Sequence, residues 1–362
     1  MNIKRPIAAA IALLALAATA YAQTRTWPNQ QEGDFIIKDF HFKSGETLPE
    51  LKQHYTTLGT PKRNAAGDIV NAVILLHGTS SNGKIWFIPS LADELFAPGE
   101  LLDASQYFIV LPDGIGRGGS SKPSDGLKGK FPHYRYEDMI AAEHQLLIEH
   151  LGIKHLRLVL GSSMGAMHTW MWGYMYPDLM DGLVAIASQP IEISGRNWIQ
   201  RRVAAEAIRQ DPGWHNGFYE TNPTYWTVTA PYGFLQTESL LQIQKMAPTR
   251  EAGDALFQRL QEDAKKRDAN DTLWGIEAVM DYNPAPHLHE IKARLMAINS
   301  SDDEANPPEL TSTAREIARI PHAKYVLIPG TEETHGHFTH LRAKFWKPYV
   351  AEFLKELPPQ QM

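Results

Sequence analysis

The chain has no cysteine among its 362 residues. A thiol nucleophile, thiolate metal ligands and disulfides are therefore excluded, and the fold must rest on its apolar core. Positive charge is not in excess either. Lys and Arg number 35 against 41 Asp and Glu, and the net charge of −6 gives nucleic acid no electrostatic hold. Past the N-terminal residues, no apolar run approaches the roughly 20 residues that a membrane-spanning helix needs. Internal repeats and low-complexity segments are missing outside that N-terminal stretch. What is present is 43% hydrophobic residues in a chain long enough for one large domain with an insertion, or for two domains.

The N-terminus has its own pattern. Lys4 and Arg5 precede an apolar stretch over residues 7–18, and Ala20-Tyr21-Ala22 has the small-residue spacing of a cleavage site. Residues 1–22 read as a secretory signal peptide, cut after Ala22, leaving a periplasmic or secreted chain with no membrane attachment. Loss of Lys4 and Arg5 takes the net charge from −6 to −8. Such a compartment has no ready supply of acetyl-CoA, ATP or NAD.

Short apolar runs alternate with helical patterns through most of the remaining chain, the signature of an α/β sheet. Strands are expected over residues 35–40, 54–58, 72–76, 107–111, 156–160, 182–187, 295–299 and 325–328. Helices are expected over 137–151, after Ser163, over 309–320 and over 345–354. Val73-Ile74-Leu75-Leu76 does not alternate, as befits parallel strands covered on both faces. From Gln189 to about Pro286 the α/β alternation stops. Helical patterns and Trp198, Trp214, Trp226 and Trp274 mark a helical cap inserted between two strands, its aromatics mostly packing on the sheet. The expected division is a core over 23–189, the cap over 190–286 and the rest of the core over 287–362. The cap is also the expected surface for a homodimer.

Gly161-Ser162-Ser163-Met164-Gly165 reads G-x-S-x-G between a strand pattern and a helix pattern. A strained strand-to-helix turn exposes the serine hydroxyl beside backbone N–H groups, and glycines flank it because side chains there would strike the neighbouring elements. Activation needs a histidine to take the proton and an acid to orient that histidine. His337 follows the run 325–328, and Gly336 leaves its ring room to approach Ser163. Asp302 follows the run 295–299 and is preferred because it comes first after the strand, with adjacent Asp303 as the alternative. Oxyanion donors are expected from the Met164 N–H and, in the loop after 72–76, the Thr79 N–H.

Other motifs receive structural readings. Gly114-Ile115-Gly116-Arg117-Gly118-Gly119 fits G-x-G-x-x-G, but a loop pattern follows it where a dinucleotide site needs a helix N-terminus. It reads as a tight loop anchored by Asp113. His77 precedes the nucleophile in the chain and reads as packing beneath the oxyanion loop. His335, His337 and His340 crowd one loop, with no matching carboxylate pattern to form a metal site. Arg201 and Arg202 read as the solvated face of a cap helix.

Together these pieces resemble an α/β-hydrolase of the homoserine O-acetyltransferase-like group. The resemblance spans His54 to Leu341. It is carried by Tyr55-Thr56-Thr57-Leu58-Gly59-Thr60, His77-Gly78, Leu111-Pro112-Asp113-Gly114, Tyr136-Glu137-Asp138-Met139 and Gly161-Ser162-Ser163-Met164-Gly165-Ala166-Met167. Ala207-Ile208-Arg209-Gln210-Asp211-Pro212-Gly213-Trp214, Ser300-Ser301-Asp302 with Pro307, and Gly336-His337 complete it. It implies an α/β-hydrolase fold with a mostly parallel sheet, a Ser163–Asp302–His337 triad, an acyl-serine intermediate on a small-molecule acyl substrate, and no metal or redox cofactor. The spacing from Asp302 to Pro307 also favours Asp302 over Asp303. With export removing acetyl-CoA, the expected activity is ester hydrolysis, and the alternative is acyl transfer to an alcohol on the same triad.

Overall fold

The most apolar runs of the chain lie at the centre of a single sheet. In the computed structural model, which describes residues 26–359, the strands are β1 (Gln31–His41), β2 (Thr47–Leu58), β3 (Ala72–Leu76), β4 (Phe108–Pro112), β5 (Leu156–Ser162), β6 (Met180–Ile186), β7 (Arg294–Ser300) and β8 (Ala323–Ile328). The signal peptide assigned to residues 1–22 lies outside the described residues. The order across the sheet is β1-β2-β4-β3-β5-β6-β7-β8. β1 pairs antiparallel with β2, and β2 with β4, while every pairing from β4 to β8 is parallel. All eight expected strands are present, most of them a few residues longer than their apolar runs.

The α-helices are α1 (Pro89–Leu95), α2 (Tyr136–Gln145), α3 (Met164–Met175), α4 (Gly195–Arg209), α5 (Ala230–Leu235), α6 (Leu240–Met246), α7 (Arg250–Lys265), α8 (Ala269–Glu277), α9 (Ser312–Ile317) and α10 (Lys347–Glu356). β3, β4 and β5 are buried along their whole length, because helices cover both faces. Successive side chains separate into two apolar layers: Ile74 and Leu76 enter one, Val73 and Leu75 the other. The first layer packs under α2 and α3, around Trp170 and Trp172; the second packs under α1 and α10, around Trp346 and Phe353.

Two expected helices are shorter than their patterns. The helix expected over 137–151 is α-helical only to Gln145, and Leu146–His150 widens into a π turn. The helix expected over 309–320 is broken at Thr311, whose left-handed φ of 53° separates a 3₁₀ turn at Pro308–Leu310 from α9. Between β6 and β7 the chain leaves the sheet for α4–α8 and shorter turns. Trp226 and Trp274 of this inserted segment are buried, and Trp198 and Trp214 pack partly buried against the first layer.

Candidate active site

β5 ends at Ser162 and α3 begins at Met164, so the whole change of direction falls on Ser163, at φ 56° and ψ −117°. A non-glycine residue held there stores roughly 1–3 kcal/mol of strain, which the surroundings must impose. They do so through hydrogen bonds. The Ser163 N–H donates to the Ile186 carbonyl at 2.9 Å, and the Ser163 carbonyl accepts from the N–H groups of Ala166 and Met167. A Cβ at Gly161 would lie 2.0 Å from the Gly165 carbonyl oxygen, and one at Gly165 would lie 2.1 Å from that of Leu76. Both glycines are required by this close approach.

Ser163 Oγ donates to His337 Nε2 at 2.8 Å, and His337 Nδ1–H donates to Asp303 Oδ2 at 2.9 Å. Since the carboxylate can only accept, Nδ1 carries the proton and Nε2 is left basic towards the serine. Burial pushes the Asp303 pKa up, but the charge and hydrogen bond of His337, together with bonds from Asn306 and the Ala305 N–H, outweigh it and hold the carboxyl below its ordinary value.

The acid facing His337 is Asp303, which corrects the preference for Asp302. The Asp303 N–H donates back to the Ser300 carbonyl at 3.1 Å, closing a turn that places Ser301 and Asp302 at its corners. Asp303, at the end of the turn, returns under the imidazole with its side chain fully buried. Asp302 serves the histidine loop instead. It accepts from Thr334 Oγ1 at 2.7 Å and from the Gly336 N–H at 3.2 Å, and also from Ser300 Oγ.

The loop after β3 lies against the serine: a Cβ at Gly78 would stand 3.4 Å from Ser163 Cβ. Thr79, the next residue, lines the same cavity as Ser163. Met164 is the first residue of α3, where helix N–H groups lack intrahelical partners. Neither the Thr79 nor the Met164 N–H meets an acceptor among the described residues, so both remain available to an oxyanion. His77 buttresses this loop. Its Nδ1–H donates to the Gly78 carbonyl at 2.9 Å, and Nε2 accepts from the Gly114 N–H at 2.8 Å. Burial pushes its pKa down to about 4, so the neutral ring keeps both bonds.

Asp113 anchors the glycine-rich loop, accepting from the N–H groups of Gly83 and Gly119 at 2.7 and 2.8 Å. The three crowded histidines have different surroundings. His335 Nδ1 faces Glu238 at 3.2 Å, and His340 packs its buried ring edge-on to His337.

Ser163 and His337 open into a cavity of about 480 Å³ between the sheet and the inserted segment, lined also by Arg117, Arg201, Trp226 and Arg267. Arg202 is on the solvated face, paired with Glu206. Arg201 is not: half-buried, it lines the cavity and donates from Nε to Asn197 Oδ1 at 3.0 Å and from Nη1 to the Ile276 carbonyl at 3.3 Å. At 3.6 residues per turn, α4 points these neighbouring arginines to different sides.

A serine turn at the carboxyl end of a central parallel strand, joined by hydrogen bonds to His337 and Asp303, defines the class: an α/β hydrolase. The sequence profile of the alpha/beta hydrolase fold family matches residues 71–341. A probable acyltransferase of Methanothermobacter thermautotrophicus is 30% identical over 81% of this chain and 89% of its own length. A homoserine O-acetyltransferase of Geobacter sulfurreducens is 29% identical over 87% and 94%. Among solved structures, homoserine O-acetyltransferase from Bacillus anthracis superposes with a TM-score of 0.79, at 20% identity over 91% of this chain and 99% of that one. An acetylester hydrolase from Corynebacterium glutamicum superposes with a TM-score of 0.77, at 23% identity over 90% and 95%. The chain belongs to the α/β-hydrolase fold family, in its homoserine O-acetyltransferase-like group.

Several site residues escape sequence reasoning. Asn306 donates Nδ2 to Asp303 Oδ2 at 2.9 Å, and its nearness to the aspartate pair was the only signal. Thr237 accepts from the His337 N–H at 2.8 Å across 100 residues of sequence. Arg117 sits in the glycine-rich loop that was read only as a turn, and nothing local marks Arg267.

Proposed function

We propose that this chain is an exported serine hydrolase that cleaves an ester or related acyl bond. The observation that carries the reading is the hydrogen-bonded series Ser163–His337–Asp303 opening, beside two free N–H groups, into the cavity under the inserted segment. Ser163 Oγ attacks the acyl carbon and passes its proton to His337 Nε2. The Thr79 and Met164 N–H groups hold the oxyanion, and Asp303 stabilises the imidazolium. Collapse expels the alcohol, which takes the proton from His337. A water then attacks the acyl-serine with His337 as base, releasing the acid and restoring the serine. The inserted segment acts as a cap that excludes bulk water while the acyl group is bound.

Acyl transfer is the second reading, supported by the relatives named acyltransferase and homoserine O-acetyltransferase that align with most of the chain. Hydrolysis is preferred because the signal peptide pattern of residues 1–22 directs the enzyme away from acyl-CoA pools.

One experiment addresses activity and location together. Cells expressing the full chain are fractionated, and each fraction is assayed with para-nitrophenyl acetate and a fluorophosphonate label. Labelled protein beginning at Gln23, active in the periplasmic or culture fraction and silent as Ser163→Ala, is the expected result. O-acetylhomoserine as the dominant product from acetyl-CoA and homoserine would establish the transferase instead. Activity confined to the cytoplasm would remove the argument from export.

A further inference from the structure

Arg117 and Arg267 both line the cavity, each carried by a different part of the chain. Arg117 comes from the loop after β4, and Arg267 follows α7. Both are half-buried, and neither guanidinium makes an ion pair or hydrogen bond among the described residues. The acids nearby are already engaged. Asp263, on the cavity rim, pairs with Lys266 at 2.7 Å, and Asp271 accepts from the Ser124 N–H and Oγ at 2.9 and 2.7 Å. Burial, and after it the charge of Arg117, pushes the Arg267 pKa down against the pull of Asp263. Two like charges thus share one partly dry space, and the acids around it, Asp263 and Asp271, form no ion pair with either guanidinium, an arrangement that a ligand carboxylate would favour.

The space for Arg117 is also built. Gly275, inside α8, has no side chain where the guanidinium lies; a Cβ there would stand 1.8 Å from Arg117 Nη2. A helix-interior glycine costs about 1 kcal/mol relative to alanine, and here its effect is to seat a planar cation against bare backbone. Arg201 differs, since its Nε and Nη1 already donate to Asn197 and to the Ile276 carbonyl. The rest of the wall includes Val203, Phe234, Leu260 and Ile276, which suit a hydrocarbon spacer.

We propose that Arg117 and Arg267 form a carboxylate-binding subsite, so that the ester cleaved at Ser163 carries a carboxylate separated from the reacting carbonyl by an apolar spacer. The planar forks of two arginines match a carboxylate and reject a neutral terminus. The inference rests on the hydrolytic reading for its reaction but not for its binding site. The carboxylate can belong to the acyl side, as in a dicarboxylic acid half-ester, or to the alcohol side, as in an acylated hydroxy acid.

Two measurements test it. Glutarate is expected to raise the melting temperature of the wild-type protein and to leave that of R117Q/R267Q unmoved. In the kinetic arm, kcat/KM is measured for mono-para-nitrophenyl glutarate, for para-acetoxybenzoate and for neutral para-nitrophenyl acetate. The ratio of one carboxylate ester to the neutral ester is expected to fall about ten-fold in each single Gln variant and to recover partly in R117K. Which ester responds tells which side carries the charge. A wild-type melting temperature that glutarate does not raise, or raises equally in the variant, overturns the subsite. So does a ratio that stays constant for both esters. If the wild type cleaves no ester, hydrolysis fails as the function while the glutarate measurement still decides the subsite.

Discussion

Asp302 and Asp303 are adjacent and chemically identical, yet one turn sends them to different tasks. Asp303 sits under Nδ1 of His337, buried and holding its charge, whereas Asp302 binds Thr334 and the Gly336 N–H and so shapes the loop. Asp303→Asn would turn an acceptor into an amide that can present an N–H to Nδ1, favouring the wrong tautomer. The expected loss in kcat is on the order of 10⁴-fold. Asp302→Asn keeps one acceptor oxygen for the loop, and the expected loss is roughly ten-fold or less. Steady-state rates of the two variants on one ester decide the matter, and equal losses would return Asp302 to consideration. Ser163 and His337 were legible in the sequence because their motifs are local: glycines around a serine, and a Gly-His after a strand. The choice of acid was not, because order after a strand says nothing about which corner of a turn points inward. Arg117 and Arg267 lie 150 residues apart, so only the folded chain shows them to share a cavity.

Among the elements, the central strands were the most legible, since a five-residue run of buried aliphatic residues such as β3 admits little else. The seven-residue α1 went unforeseen because Leu91, Ala92 and Leu95 are too few to display a period. The early end of α2 has a visible neighbour: Glu143 is buried against α3, where it accepts from Trp172 Nε1 at 3.4 Å. Burial raises its pKa from the ordinary 4.5 to about 8, with the Trp172 bond only partly opposing. A carboxyl with a raised folded-state pKa keeps a proton that the unfolded chain would release. Stability is therefore lost as pH rises from about 4.5 to about 8. Glu143→Gln removes this dependence. Its melting temperature should match wild type near pH 4 and exceed it by an amount that grows to roughly a few kcal/mol of stability by pH 8. Melting curves across that range by circular dichroism check this, and a gap independent of pH would mean that Glu143 is not the titrating group.

At the scale of the whole molecule, the inserted segment is tied to the loop that carries His337. His337 donates its N–H to Thr237, Ser239 Oγ donates to the Thr334 carbonyl at 3.3 Å, and Gln242 Nε2 donates to the carbonyls of Glu332 and Thr334. Glu238 adds a side-chain tie, facing His335 Nδ1 at 3.2 Å with little exposure to solvent. The sheet sets Ser163, and the loop after β8 sets His337, so an error in the inserted segment reaches the chemistry through this seam. Glu238→Ala would leave His335 without its acceptor and loosen the residues on either side of Gly336. A lost hydrogen bond of about 1.4 kcal/mol corresponds to about ten-fold in rate, so kcat should fall by roughly that factor, with KM moving less. Fluorophosphonate labelling of Ser163 should slow in the same proportion, since it draws on the same base. Unchanged kcat and labelling in a variant that melts like wild type would show that the seam bears on stability alone.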